Sequence, residues 1–184
     1  MEPLFLLLVS ALLSTQAWIH LGLNIDRRTS GVIAAVLAAA LFATATMDGL
    51  SSPVLISPDT ALVVTAFRAY ILVWAAYAAA LAAHGLWGHG LRALGLHAAS
   101  IGVASIFIAV LPLGYTKSEV SGDAHLVLTI ASLTLATVSA VIFLYLAIPL
   151  RQLRSVIGWL LLAGTAITGG LGMVVFFGAF ETVT

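Results

Sequence analysis

"PLFLLLVSALLSTQAWIHLGLNIDRR", residues 3–28, decides the class of this fold. No residue from Pro3 to Asn24 is charged, and about 20 apolar residues suffice to carry a helix across a bilayer. The run stops at Asp26, Arg27 and Arg28. No basic residue precedes it, and Glu2 stands where a secretory leader carries positive charge. The segment therefore reads as a retained span. It also carries Gln16, His20 and Asn24, four residues apart. Each four-residue step drifts about 40° around a 3.6-residue helix, so the three polar side chains share one arc. A polar arc inside a membrane is costly when turned to lipid. The expectation is that it faces other helices.

The rest of the chain repeats the pattern. Of its 184 residues, 62% are hydrophobic and 8% are charged, with a mean hydropathy of +1.17. Soluble domains carry roughly a quarter of their residues as charges. Six apolar spans can be drawn, at about 3–24, 30–50, 59–85, 92–114, 124–148 and 155–180. Helices and closed barrels alone satisfy their backbone in lipid. The expected fold is therefore all-α: one transmembrane helical bundle of six spans in a single domain. "SPDT" reads as a helix start, with Ser57 as N-cap and Pro58 at the first helical position. "GLWGHGLR" reads as a short hairpin.

Charge sets the direction. Arg27, Arg28, Arg92, Arg151 and Arg154 fall in the first, third and fifth loops, and Lys117 is the one cation of the second and fourth. The positive-inside rule puts the arginine loops in the cytoplasm and both termini outside. The expected location is the cell membrane, as a multi-pass protein.

With depth counted along each helix, His20, His84 and His97 fall near the cytoplasmic ends of the first, third and fourth spans. The tight hairpin makes His84 and His97 neighbours, and Gln16 joins the layer. Four readings compete. Two imidazoles on facing helices are what a b-type haem needs, in an electron-transfer subunit. A histidine metal site needs three or four ligands, and no carboxylate lies at that depth. Histidine also suits a proton or solute path. The plain alternative is a set of polar groups meeting water and headgroups at the membrane edge.

The outer layer centres on Arg68, about two turns inside the third span. Asp48 and Asp59 flank it, and Asp123, with Glu119, lies in the other long outer loop. Arg68 either pairs with Asp48 or Asp59 or holds an anionic ligand group in an outer pocket with Asp123 and His125. His125 also opens a stripe on the fifth span, followed by Thr129, Ser132, Ala136 and Ser139. Such small residues favour close helix packing over a solute path. "LAGTAITGGLGM" gives the sixth span the same character and pairs it with the fifth. On the third span Phe67, Tyr70, Trp74, Tyr77, Leu81 and His84 share an arc of about 100°. That aromatic face is expected to meet lipid, or else a flat hydrophobic ligand, and the alanine face opposite to pack.

Several chemistries are excluded. The chain has no cysteine, so thiolate sites and disulfides are absent. A net charge of zero without a basic cluster argues against nucleic acid. "EVSGDAHL" and "NIDRR" resemble fragments of intramembrane aspartyl proteases. Val120 occupies the first glycine position, however, and the topology puts Asp26 and Asp123 on opposite sides, where no dyad forms. No lysine lies within a span to hold a retinal. "DGLSSP" before an aromatic-rich span, an arginine turn, and "LPLGYTKSEVSGDAH" opening a later span resemble the damage-regulated autophagy modulators and their prokaryotic relatives, over about residues 46–178. One helix is added before the matched region and one lost after it. That resemblance implies a lipid-associated membrane protein with no established chemistry, and it assigns no catalytic residue.

Three functions remain. The first is a non-enzymatic protein that binds lipid or a small hydrophobic molecule, or is a membrane subunit of a larger complex. The second is a haem b subunit, and the third a small channel or transporter. The topology is directly testable because the chain has no cysteine of its own. A cysteine at Ser121 should react with an impermeant thiol reagent in intact cells, and one at Ser155 should not; the opposite pattern inverts the orientation.

Overall fold

The computed structural model describes residues 2–23, 26–47, 58–88, 90–110, 122–147 and 154–181. They form six helices: α1 Glu2–Leu21, α2 Arg27–Met47, α3 Pro58–Trp87, α4 Leu91–Val110, α5 Gly122–Ala147 and α6 Arg154–Glu181. Among the described residues there is no strand. Five helices are long and apolar enough to cross a membrane, and α4 carries a shorter apolar stretch, Leu94–Val110. The expected all-α bundle is thus present, and Pro58 opens α3 as read. Ser57 lies outside the described residues.

The helices form a closed ring in chain order. α1 pairs closely with α6, α2 with α3, and α4 with α5; looser seams join α1 to α2, α3 to α4 and α5 to α6. Glycine makes the tight pairs. A Cβ on Gly85 would lie 2.6 Å from the Gly31 Cα and 2.9 Å from the Arg27 carbonyl oxygen, so α2 and α3 meet backbone to backbone. In α4 and α5, a Cβ on Gly95 would sit 2.9 Å from Leu146 Cβ, and one on Gly102 would touch Ser139. The small-residue stripe of α5 therefore packs on α4.

The sixth helix departs from expectation. Its glycines seat mainly on α1, where added Cβ atoms would meet Leu21 from Gly158 at 2.7 Å, Ser10 from Gly169 at 2.6 Å and Leu6 from Gly172 at 3.1 Å. Ser10 Oγ also donates to the Thr165 carbonyl at 3.0 Å. Eleven- and three-residue steps keep those glycines on one arc. Gly164 falls well off that arc, and it is the one that reaches Val138 of α5.

The aromatic face of the third helix turns into the bundle and not to lipid, and its alanines divide: Ala75, Ala78 and Ala82 pack as expected. Phe67, Tyr70, Trp74 and Tyr77 are buried, while Ala69, Ala76 and Ala79 are exposed. A ring of six helices has an axis to fill, and large rings with polar tips fill it where alanine cannot. Leu41, Leu12, Leu13, Ile71, Ile101, Leu135 and Leu161 complete the core.

The arginine end is closed by carbonyl caps. Gly22 has φ 75°; its N–H donates to the Ile19 carbonyl at 3.2 Å, and that of Leu23 to Trp18 at 3.0 Å. This pair of hydrogen bonds is the Schellman arrangement, which needs a left-handed residue. Arg154 Nη2 reaches across from α6 to the same Ile19 carbonyl at 2.8 Å. Likewise Gly88, φ 79°, donates to the His84 carbonyl at 3.0 Å, and Arg27 Nη2 donates to it at 2.7 Å.

Gly85→Ala should destabilise the bundle by about 1–3 kcal/mol, the usual cost of overpacking, because backbone has nowhere to move. Gly170→Ala, whose Cβ would meet nothing within 4 Å, should be neutral. Thermal unfolding of the two variants in detergent checks the contrast; equal melting temperatures would refute the backbone contact.

Candidate functional site: an aromatic column on the bundle axis

Tyr70, Trp74 and Tyr77 stand three or four residues apart on α3, so about 5 Å of helix rise separates each polar tip from the next. All three side chains are buried, Trp74 completely. Phe5 of α1 closes the column at the end away from the arginines, with ring centroids 5.4 Å from Phe67 and 5.5 Å from Tyr70.

Each polar tip has a distinct setting. Ser105 Oγ donates to the Ile101 carbonyl at 2.8 Å, so the 2.7 Å bond between it and the Tyr70 hydroxyl has the tyrosine as donor. The Trp74 indole N–H lies beside the Tyr70 hydroxyl without a well-formed hydrogen bond. Tyr77 meets Gln16 of α1, whose Nε2 donates to the hydroxyl at 3.1 Å, and the hydroxyl faces Gln16 Oε1 at 3.4 Å. Behind Tyr77 lies His97, stacked at 6.3 Å with 4° between the ring planes. His97 Nε2 is 3.3 Å from the Val73 carbonyl, which selects the tautomer protonated there. The Trp74 ring abuts Tyr77 edge-on at 5.9 Å.

Two cavities lie beyond Tyr77, toward the arginine end. One, of about 240 Å³, lies among α1, α2 and α3 and includes Thr15, Gln16, Ser30 and Arg27 in its wall. The other, of about 210 Å³, is bounded by Gln16, His20, Tyr77, His84, Tyr145 and Arg154. Gln16, Ile19, Leu81 and His84 belong to both walls and form the partition between them.

The histidine layer expected from sequence is thereby split. Gln16 is buried inside the bundle, as its arc requires, and His20 and His84 face a shared cavity. His20 also packs edge-on against Tyr145 at 5.0 Å. His97 sits instead at the level of Val73 and Tyr77, about 10 Å deeper than His84 by helix rise. The short α3–α4 connection does not make the two neighbours, because the α3–α4 seam is loose. A b-type haem fits poorly here. Among the described residues, the cavity that His20 and His84 share is about 210 Å³, below the roughly 300 Å³ at which drug-sized pockets begin. Among the described residues no group of three His, Asp or Glu side chains could hold a metal ion.

Arg68 is half-buried on α3. Asp59, Asp123 and His125 fall in the first turns of α3 and α5. Their side chains, and Asp48 and Asn24 altogether, lie outside the described residues. So do residues 48–57 and 111–121, which carry most of the resemblance to the autophagy modulators. Sequence reading grouped Tyr70, Trp74 and Tyr77 on one face but did not count them as site residues. A signal existed: membrane Trp and Tyr concentrate at the two interfaces, and these stand in mid-span, where a polar tip has reason to turn inward.

No protein-family model matches the sequence, and no curated protein does. The fold is shared with a solved structure, the cryo-electron-microscopy structure of the Helicobacter pylori urea channel in its closed state. The two are 17% identical, with a TM-score of 0.74 over 96% of this chain and 98% of that one. At that identity the likeness establishes the fold, a multi-pass helical membrane bundle.

His97→Ala should remove the stacked face of Tyr77 and cost about 0.5–1.5 kcal/mol, the worth of an aromatic pair beyond its buried area. A lower melting temperature in detergent is expected. Unchanged stability would show that His97 does not hold the Tyr77 ring.

Proposed function

We propose that the protein is a membrane channel for small neutral polar solutes of the size of urea. The observation that carries this reading is the axial column of polar-tipped aromatic rings, ending at cavities on the arginine side. The fold shared with a urea channel supports it. A column of this kind suits a small planar solute. Ring faces shed water, while hydroxyl, indole and amide groups replace the hydrogen bonds that the solute leaves behind. Neutrality follows from desolvation: an ion among aromatic rings loses far more hydration than these tips return. The same polar tips favour such a solute over the hydrophobic ligand that composition alone suggests. The outward faces, with Val103, Ile106 and Phe107 on α4 and Leu126 and Leu133 on α5 exposed, are assigned to lipid.

The test is osmotic. Liposomes containing the purified protein should equilibrate urea faster than protein-free liposomes, followed by light scattering after rapid mixing. Trp74→Phe keeps a large ring and removes the N–H. It should slow urea by about two- to tenfold, the worth of one hydrogen bond. Equal rates with and without protein would overturn the channel reading.

A further inference from the structure

We propose that the Gln16 carboxamide is a tethered stand-in for the solute: it occupies the Tyr77 hydroxyl while the column is shut, and a solute bearing a planar amide group displaces it. This rests on the channel reading above and assigns a specificity-determining residue within it.

The geometry is that of an amide already bound. The Tyr77 hydroxyl faces both ends of one carboxamide, 3.1 Å from Nε2 and 3.4 Å from Oε1. A glutamine side chain ends in the functional group of acetamide, and urea presents the same edge, a carbonyl oxygen beside an NH₂. Any such solute reaching Tyr77 would find its own group in place. Displacement then exchanges one amide for another, so no buried hydroxyl is left unpaired, a loss that costs about 1–3 kcal/mol. A polyol offers hydroxyls but not a planar donor and acceptor on one edge.

The fixed and movable partners are also distinguishable. Tyr77 is held by His97 on one face and the Trp74 ring on another. Gln16 projects from α1, whose backbone stands off from that of α3, so the two helices meet there through side chains. It stands in the partition between the two cavities. The cavity on the α2 side, about 240 Å³, gives its side chain somewhere to go. Thr15 and Ser30 line it. Ser30 Oγ donates to the Arg27 carbonyl at 2.8 Å, which leaves its lone pairs to accept from the released NH₂. A carboxamide has four hydrogen-bonding positions, and the Tyr77 contact occupies one edge of it.

The experiment compares acetamide and glycerol flux in liposomes for the wild type, Gln16→Met, Gln16→Asn and Tyr77→Phe. Methionine keeps length and loses the amide; asparagine keeps the amide and loses the reach. Both should lower the acetamide concentration for half-maximal flux by about two- to tenfold, one hydrogen bond's worth, and both should admit glycerol. Tyr77→Phe should slow acetamide. A Gln16→Met or Gln16→Asn protein that slows acetamide as Tyr77→Phe does would make Gln16 part of the binding wall and overturn the stand-in. So would unchanged flux in both. If the wild type passes neither solute above protein-free liposomes, the channel reading fails on its own, and binding decides the inference. With Trp18, Trp87 and Trp159 replaced by Phe, Trp74 emission reports on its Tyr77 neighbour. An acetamide midpoint several-fold lower in Gln16→Met than in the Gln16 protein supports displacement, and equal midpoints or no response in either overturn it.

Discussion

The contact between Gly31 and Gly85 sets the spacing on which the rest depends. Two helices that touch backbone to backbone behave as one thick rod, and the same holds where α6 lies on α1 and α5 on α4. Three such rods close a ring with three loose seams. Room inside a membrane bundle has to come from somewhere, since side chains otherwise fill it to crystal-like density. Here it comes from the mismatch between tight pairs and loose seams. Both cavities open where α1 and α3, members of different rods, face each other across the axis.

Across that gap the polar chemistry is economical. Both tyrosine tips of the column are paired by a residue of another helix: Tyr70 by Ser105 on α4, Tyr77 by Gln16 on α1. At the arginine end, Arg27 and Arg154 spend donors on the last carbonyls of α3 and α1. Each of those carbonyls already accepts the N–H of its glycine cap; the arginine fills a second lone pair and keeps its charge while tying one rod to the next. On the axis, capacity is left over at the Trp74 N–H and at the second edge of Gln16.

How much of this was legible in the sequence follows from where hydrophobicity changes. Helix number and boundaries were readable to within a few residues, because Asp26–Arg28, the 48–57 segment and the arginine turns interrupt otherwise continuous apolar runs. Gln16 was placed inward correctly, since a polar stripe on an apolar helix has one tolerable direction. The facing of α3 was misread for the converse reason. Its aromatic and alanine sides are both apolar, so polarity does not choose between them; volume does, and volume is decided by a ring geometry that no single helix encodes. The partner of α6 was misread likewise, because glycine spacing announces a close neighbour without naming it. His84 and His97 were read as neighbours because a short connection was taken to mean a tight hairpin, whereas tightness here follows the glycines.

The column's character then bears on which solutes suit it. Mid-membrane, an aromatic tip with a hydroxyl or N–H is neither a good lipid-facing group nor a self-sufficient core group. It needs a partner, and in Trp74 that need is only loosely met. A packed core would favour phenylalanine or leucine at such positions, which fill space with no polar atom to satisfy. Retaining Tyr70, Trp74 and Tyr77 on one axial face costs packing simplicity at each. The cost makes physical sense when something other than the protein completes the hydrogen bonding part of the time. A mobile occupant of that kind must be small enough for the seams, flat enough for the rings, and uncharged. Those are the terms on which the column can exchange its partners without leaving any of them bare.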